Sequence, residues 1–131
     1  MNTPTAAAGT GSRSNYARGR DLEHRVRAHL RGQGYEVLRT AGSKSKVDLV
    51  AIKPGQVLFV QCKRTGALPP AEWNALWDLA QRAGAIPVLA EQLKPRGRKY
   101  WRLTGRKDQP GRRQPYVELL LDELAPEAVA R

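Results

Sequence analysis

The sequence has little of what several kinds of protein depend on. Cys62 is the one cysteine among 131 residues, so the chain cannot build a disulfide framework or a cysteine-based zinc site. No apolar run approaches the roughly 18–20 residues that cross a bilayer. The N-terminus also lacks the charged-then-apolar pattern of a signal peptide. We therefore expect a cytoplasmic protein with no membrane partner.

Acidic residues are scarce relative to basic ones. The chain has 23 Lys and Arg against 12 Asp and Glu, a formal net charge of +11. The bases are concentrated in residues 13–64, which hold twelve, and in residues 94–113, which hold nine. Such an excess favours a polyanionic partner, because Lys and Arg release the counterions condensed on phosphates. Nucleic acid is the predicted partner, and a basic surface that is merely solvated is the alternative.

The pattern of apolar residues predicts one α/β domain over residues 15–131, after a disordered leader at 1–14. Helices are predicted at 18–32 and 71–83. Strands are predicted at 35–40, 47–52, 57–63, 86–90, 100–103 and 116–121. This order favours a mixed central sheet flanked by helices. Trp73 and Trp77 of the second helix are predicted core residues, with a subunit interface as the alternative.

The second and third predicted strands flank Pro54-Gly55, a turn signal. If the turn closes an antiparallel hairpin that pairs Ile52 with Val57, then Asp48 lies opposite Gln61. Lys63 lies two residues further along and projects from the same face as Gln61. An acid, an amide and an amine therefore converge on one face of an apolar hairpin.

This polar group has two interpretations. Burying a carboxylate and an ammonium is costly unless they are paired or bind a metal, so one interpretation is an Asp48–Lys63 ion pair. The other is a metal site, because Mg²⁺ takes one or two carboxylates and carbonyl oxygens and keeps several waters. Asp48 would then be the principal ligand, with the Gln61 side-chain oxygen and the Cys62 backbone carbonyl as neutral ligands. Lys63 could orient or deprotonate water, or neutralise charge on a phosphate.

Glu23 is the next candidate, because it borders the apolar stripe of the first helix. It could point at the hairpin site as a second carboxylate. It could equally pair with Arg27 one turn further along, which is a common arrangement for a helical Glu. Spacing alone leaves both possibilities open.

Asp48, separated by twelve residues from Gln61-Cys62-Lys63, resembles the PD-(D/E)xK nuclease pattern. Four further stretches surround it in order: NYARGRDLE at 15–23, GY at 34–35, RTAGS at 39–43 and VDLVA at 47–51. Together they resemble the archaeal-type Holliday junction resolvases over roughly residues 15–66.

The resemblance implies a restriction-endonuclease-like core in a homodimeric, Mg²⁺-dependent endonuclease. Such an enzyme makes paired, symmetric nicks in four-way DNA junctions, and we expect Mn²⁺ to substitute. The implied location is the cytoplasm, either at the nucleoid or, for a phage protein, in the host. The implied catalytic residues are Glu23, Asp48, Gln61, Lys63 and Ser43. The implied metal ligands are Glu23, Asp48, Gln61 and Cys62. The basic residues expected to contact DNA are Arg18, Arg20, Arg39, Lys44, Lys46 and Arg64.

One position departs from the family pattern. The family normally has an acid where this chain has Gln61, so the predicted metal site carries one negative charge fewer. A restriction- or repair-type duplex nuclease of the same superfamily and a non-catalytic basic DNA-binding protein are therefore the alternative functions.

Overall fold

The structure is a computed structural model that describes residues 15–41, 46–93, 97–108 and 114–121. The predicted leader, the residues Ser43 and Lys44, and parts of the basic segment 94–113 lie outside the described residues.

Two helices lie against the sheet, as predicted. Helix α1 spans Asn15–Gly32, and Leu22, Val26 and Leu30 are fully buried along one side of it. Helix α2 spans Pro70–Ala83. A proline suits the first turn of a helix, whose N–H groups have no partner within the helix. Gly84 ends α2 in the left-handed conformation, with φ at 69°.

Six strands form one sheet in chain order, from β1 to β6. The strands are β1 Glu36–Arg39, β2 Leu49–Lys53, β3 Gln56–Lys63, β4 Ile86–Leu93, β5 Gly97–Leu103 and β6 Tyr116–Glu118. Strands β3 and β4 are parallel, with α2 as the crossover between them, and the other neighbours are antiparallel. The predicted mixed sheet flanked by helices is thus confirmed.

Most predicted strand boundaries differ from the structure by one or two residues, and three of them were wrong by three residues. Strand β4 continues to Leu93 and β5 begins at Gly97, because backbone pairing persists where the side chains have become polar. Strand β6 ends at Glu118 rather than at residue 121. Leu119 still donates its N–H to the Tyr100 carbonyl over 2.8 Å, and both Leu119 and Leu121 are buried. Tertiary packing, rather than strand pairing, explains the apolar run after Glu118.

The register of the β2–β3 hairpin is the predicted one. Ile52 pairs with Val57, and the pairing continues to Leu49 with Val60. Asp48 lies one residue before β2, and its N–H donates to the Val60 carbonyl over 2.8 Å. The hairpin therefore delivers Asp48 to the carboxyl end of β3.

Two apolar cores lie on opposite faces of the sheet. Leu58 and Val60 of β3 pack on the α1 side, whereas Phe59 packs on the α2 side. Because successive strand residues alternate between faces, Gln61 and Lys63 belong to the α2 side and Cys62 to the α1 side. Trp73 of α2 is fully buried within this chain and donates its Nε1–H to the Gly105 carbonyl over 2.9 Å. It is therefore a core residue rather than part of a subunit interface.

Among the described residues, no helix combines the length and apolar character that crossing a bilayer requires.

Leu58 of β3 is expected to contribute strongly to the free energy of unfolding. Leu58 is fully buried, whereas Leu120 is 51% exposed. Leu58→Ala should lower the free energy of unfolding by about 2–5 kcal/mol, because it removes buried methyl groups and leaves a cavity. Leu120→Ala, the matched control, should cost less than about 0.5 kcal/mol. Urea unfolding measures both, and equal losses would contradict the assignment of the core.

Candidate active site

Four elements meet at the edge of the sheet where β1 and β3 end and β2 begins. Glu23 comes from α1, Asp48 immediately precedes β2, and Lys63 ends β3. The first turn of α2 lies beside them and contributes Glu72. These residues are distant in the chain, and the antiparallel hairpin and the crossover bring them together.

Asp48 is a half-buried carboxylate at this edge. Its Oδ2 accepts a hydrogen bond from the Cys62 backbone N–H over 2.8 Å. Burial raises the pKa of Asp48 above its ordinary value and is the largest influence on it. The hydrogen bond from Cys62 and the charge of Lys63 lower this pKa, and the charges of Glu23 and Glu72 raise it. Asp48 is therefore a carboxylate that would gain from a nearby cation.

Glu23 points toward strand β1 of the sheet rather than along its own helix. Its partner is Arg39 at the end of β1, with which it forms an ion pair. Arg27, the alternative partner, contacts the His24 ring nitrogen Nδ1 at 3.1 Å. The charge of Glu23 also acts on Asp48 and Cys62. The pairing with Arg27 is therefore not formed, and the Glu23 carboxylate lies within electrostatic reach of Asp48.

Gln61 and Lys63 follow the predicted placement. Gln61 is 5% exposed, and Lys63 places its Nζ 3.0 Å from Oε1 of Glu72. The interpretation of the polar residues as an Asp48–Lys63 ion pair therefore named the wrong partner for the lysine. The charge of Lys63 nonetheless acts on Asp48, so the ammonium lies within electrostatic reach of the half-buried carboxylate.

Cys62 faces away from this group. Its side chain packs against the core on the α1 side, and burial raises the pKa of its thiol well above the ordinary value. Its backbone, by contrast, faces Asp48. A residue in an extended strand directs its N–H and its C=O to the same neighbouring strand. The Cys62 carbonyl therefore also points toward the start of β2, which is compatible with its predicted part as a backbone ligand.

The donors at this edge fit a hard, hydrated cation. In the ranges that the structure describes, no three His, Cys, Asp or Glu side chains are grouped closely enough to hold a metal ion on their own. Three carboxylates (Glu23, Asp48 and Glu72), the Gln61 amide and the Cys62 backbone carbonyl are the oxygen donors of this edge. Mg²⁺ uses one or two carboxylates and keeps water for its remaining positions.

The predicted DNA-contacting residues that the structure describes lie in several elements. Arg18 is half-buried and Arg20 exposed in the first turns of α1, while Arg64 directly follows Lys63. Lys46 is exposed and lines a cleft of about 450 Å³ together with Arg82 and Arg106, outside the Asp48 group. Ser43 and Lys44 lie in 42–45, outside the described residues.

Sequence reasoning missed two acids near Lys63. Glu72 lies in the first turn of α2, and Glu91 of β4 is the cross-strand neighbour of Lys63. A signal for Glu72 was available, because a helix that crosses between parallel strands begins near the carboxyl end of the first strand. Without knowing that β3 and β4 are parallel, we could not use that signal.

Comparison with known proteins assigns the family. The sequence profile of the archaeal Holliday junction resolvase family, Hjc, matches residues 14–110. The chain belongs to this family. The match extends well beyond the segment 15–66 that carries the resemblance, so it includes α2, β4 and β5.

Two Hjc proteins show how close the relationship is. Crossover junction endodeoxyribonuclease Hjc of Methanocaldococcus jannaschii is 41% identical over 51 residues, which cover 39% of this chain and 38% of that protein. The solved structure of Archaeoglobus fulgidus Hjc, a Holliday junction resolvase from an archaeal hyperthermophile, superposes with a TM-score of 0.62. That superposition covers 82% of this chain and 94% of the other at 19% identity, and it supports the Hjc fold.

The half-buried position of Asp48 yields a prediction about stability. The folded-state pKa of Asp48 is raised, so the folded protein holds this proton more tightly than the unfolded chain does. Ionisation of Asp48 therefore begins to cost folding free energy as the pH rises past the ordinary Asp pKa, and the cost is complete above the folded-state pKa. Asp48→Asn removes this cost and keeps an oxygen that can accept the Cys62 N–H. We expect the variant to be more stable than the wild type at neutral pH without metal.

Urea unfolding at about pH 7 and about pH 3 measures the effect, since an ordinary Asp takes up its proton near pH 3.9. The advantage of Asp48→Asn should disappear at the lower pH. Glu118→Gln is the matched control, because Glu118 forms an ion pair with Lys99 and both side chains are partly exposed. The control should differ little from the wild type at neutral pH. A destabilised Asp48→Asn at neutral pH would contradict the analysis.

Proposed function

We propose that this member of the Hjc family is a Mg²⁺-dependent endonuclease that resolves four-way DNA junctions by paired, symmetric nicks. One observation carries the proposal. The half-buried Asp48 carboxylate shares one edge of the sheet with Glu23, while the Lys63 ammonium lies close enough to act on it. Metal-dependent phosphodiester hydrolysis uses carboxylates that hold a cation, and a neighbouring lysine can assist it.

Glu23 and Asp48 are the proposed carboxylate ligands, with the Gln61 side-chain oxygen and the Cys62 carbonyl as neutral ones. When bound, a divalent cation would polarise the scissile phosphate and lower the pKa of a coordinated water. Lys63 is proposed to orient that water and to offset the negative charge that develops on the phosphate. Ser43, which precedes β2 in the chain, is proposed to contact the scissile phosphate.

DNA binding is proposed to rest on the basic residues predicted to contact it. The net charge of +11 supports a strong, salt-dependent attraction to phosphates. The proposed contacts are Arg18, Arg20, Arg39, Lys44, Lys46 and Arg64. Arg39 already pairs with Glu23. To contact DNA, its guanidinium would have to bind a phosphate together with Glu23 or in place of it.

A homodimer is the proposed assembly. A two-fold dimer suits a four-way junction, because two equivalent strands then present equivalent phosphates to two equivalent sites. Sedimentation equilibrium should therefore give twice the chain mass of 14.5 kDa. We propose Mg²⁺ as the natural cofactor, Mn²⁺ as a substitute, and the cytoplasm as the location.

Gln61 favours a second candidate function. The rival is a nuclease of the same superfamily that cuts duplex DNA. The resemblance to that superfamily implies that restriction-type nucleases with Gln at this position are active. Such an enzyme would cut a linear duplex as readily as a junction. A DNA-binding protein without catalysis is the third possibility, and it would bind the junction without cutting.

Cleavage assays separate these functions. A labelled synthetic four-way junction and a linear duplex of the same arm sequence are incubated with the protein and Mg²⁺ or EDTA. We expect paired nicks in the junction alone, and only with Mg²⁺. Asp48→Asn and Lys63→Ala should slow cleavage by about 10²–10⁴-fold, because each removes a group that acts on the reacting atoms. Both should keep junction binding in a gel-shift assay.

Lys99→Ala is the control for the lysine. Its Nζ lies over the Trp101 ring, 4.7 Å from the centroid, on β5, two strands away from Lys63. Cleavage should survive this change. Full activity of Asp48→Asn or Lys63→Ala would overturn the proposed site, and equal cutting of the duplex would favour the rival nuclease.

A further inference from the structure

The metal site carries one acid fewer than its family pattern expects. Position 61 holds a neutral amide that is 5% exposed, so the strand supplies no carboxylate next to Lys63. A site with fewer negative charges attracts a divalent cation less strongly, and it also leaves a lysine without its nearest compensating charge. Any replacement for that charge has to come from the elements packed around the end of β3.

Glu72 is the acid that the fold brings to this place. Its Oε1 lies 3.0 Å from Nζ of Lys63, from the first turn of α2. Its charge also reaches Asp48, whose pKa it raises, so the Glu72 carboxylate acts on both members of the proposed catalytic pair. The side chain is 45% exposed, which leaves it accessible from the solvent side of the site.

Glu91 is the other acid near Lys63, and its contacts are different. It is the cross-strand neighbour of Lys63 in the β3–β4 pairing. Its Oε1 accepts the Trp101 Nε1–H over 2.9 Å, and a Cβ placed on Gly66 would lie 2.7 Å from its carboxyl carbon. It is absent from the charges that act on Asp48. Glu91 is therefore held on the β5 side, whereas Glu72 faces the site.

We propose that Glu72 is a positioning residue for Lys63 that supplies, from helix α2, the negative charge that position 61 lacks. The proposal rests on the proposed function, because it assigns a part within that same metal site. Glu72 holds the lysine ammonium at the carboxyl end of β3 and strengthens the attraction of the site for a divalent cation.

The proposal predicts that residues 61 and 72 are coupled. If Glu72 compensates for the amide, its carboxylate matters most while position 61 is neutral. Restoring an acid at 61 should make the carboxylate at 72 dispensable. Two positions with independent effects would show additive losses instead.

A double-mutant cycle tests the coupling. Wild type, Glu72→Gln, Gln61→Glu and the double variant are compared by Mn²⁺ binding in calorimetry without DNA, and by the Mg²⁺ concentration that gives half-maximal junction cleavage. Glu72→Gln should weaken Mn²⁺ binding by about 10-fold, the size typical of an outer-shell partner of a metal site. The double variant should return to within about 2-fold of the wild type.

Asp78→Asn is the matched control. Asp78 also lies on α2 and also forms an exposed ion pair, with Arg106. It should leave Mn²⁺ affinity and cleavage unchanged. Thermal unfolding of each variant checks the fold, because Gln61→Glu places a carboxylate at a buried position. If Gln61→Glu does not fold, the comparison of Glu72→Gln with Asp78→Asn decides alone.

The outcomes separate this inference from the proposed function. A wild type that cleaves junctions, together with a Glu72→Gln variant of equal Mn²⁺ affinity, would overturn the role of Glu72 and leave the function intact. An equal loss from Glu72→Gln in the wild-type and Gln61→Glu backgrounds would overturn the compensation. A wild type that neither binds Mn²⁺ nor cleaves the junction would overturn the function, and the inference with it.

Discussion

The register of the β2–β3 hairpin is the constraint on which the site depends. Pairing of Ile52 with Val57 places Asp48 beside the end of β3, where its carboxylate accepts the Cys62 N–H. Because side chains alternate along a strand, a slip of one residue would turn the apolar set of β3 away from α1 and send Lys63 to the other face. The same register therefore determines both cores and the position of the proposed catalytic pair.

The site lies at the end of the strands, and residues from both faces of the sheet contribute to it. Glu23 approaches from α1 and Glu72 from α2, while Asp48 at the start of β2 lies within reach of both charges. Two acids that repel a third, partly buried carboxylate do not favour folding. Lys63 and Arg39 offset part of that repulsion through their ion pairs. The remaining excess of negative charge is what would attract a divalent cation.

Local chemistry made part of this arrangement predictable from the sequence. Pro54-Gly55 defined the hairpin turn, and with it the placement of Asp48, Gln61 and Lys63. Glu23 forms its ion pair with Arg39 rather than with Arg27 because of how α1 lies across β1. Helical spacing does not encode that arrangement. The position of Glu72 beside Lys63 depends on the parallel pairing of β3 with β4, which joins segments far apart in the chain. Periodicity predicted the elements, whereas relations between the elements decided the neighbours of the lysine.

The parallel pair at the centre of the sheet has a consequence for the order of folding. Leu58 pairs with Ile86, and the whole of α2 lies between these two strands in the chain. Non-local pairings of this kind form slowly, because the intervening chain must first lose its freedom. The local β2–β3 hairpin can close earlier, and it brings Asp48 to Lys63 before Glu72 arrives. On this order of folding, we expect the Glu72 charge to join those of Glu23 and Asp48 last, after much of the apolar surface is buried.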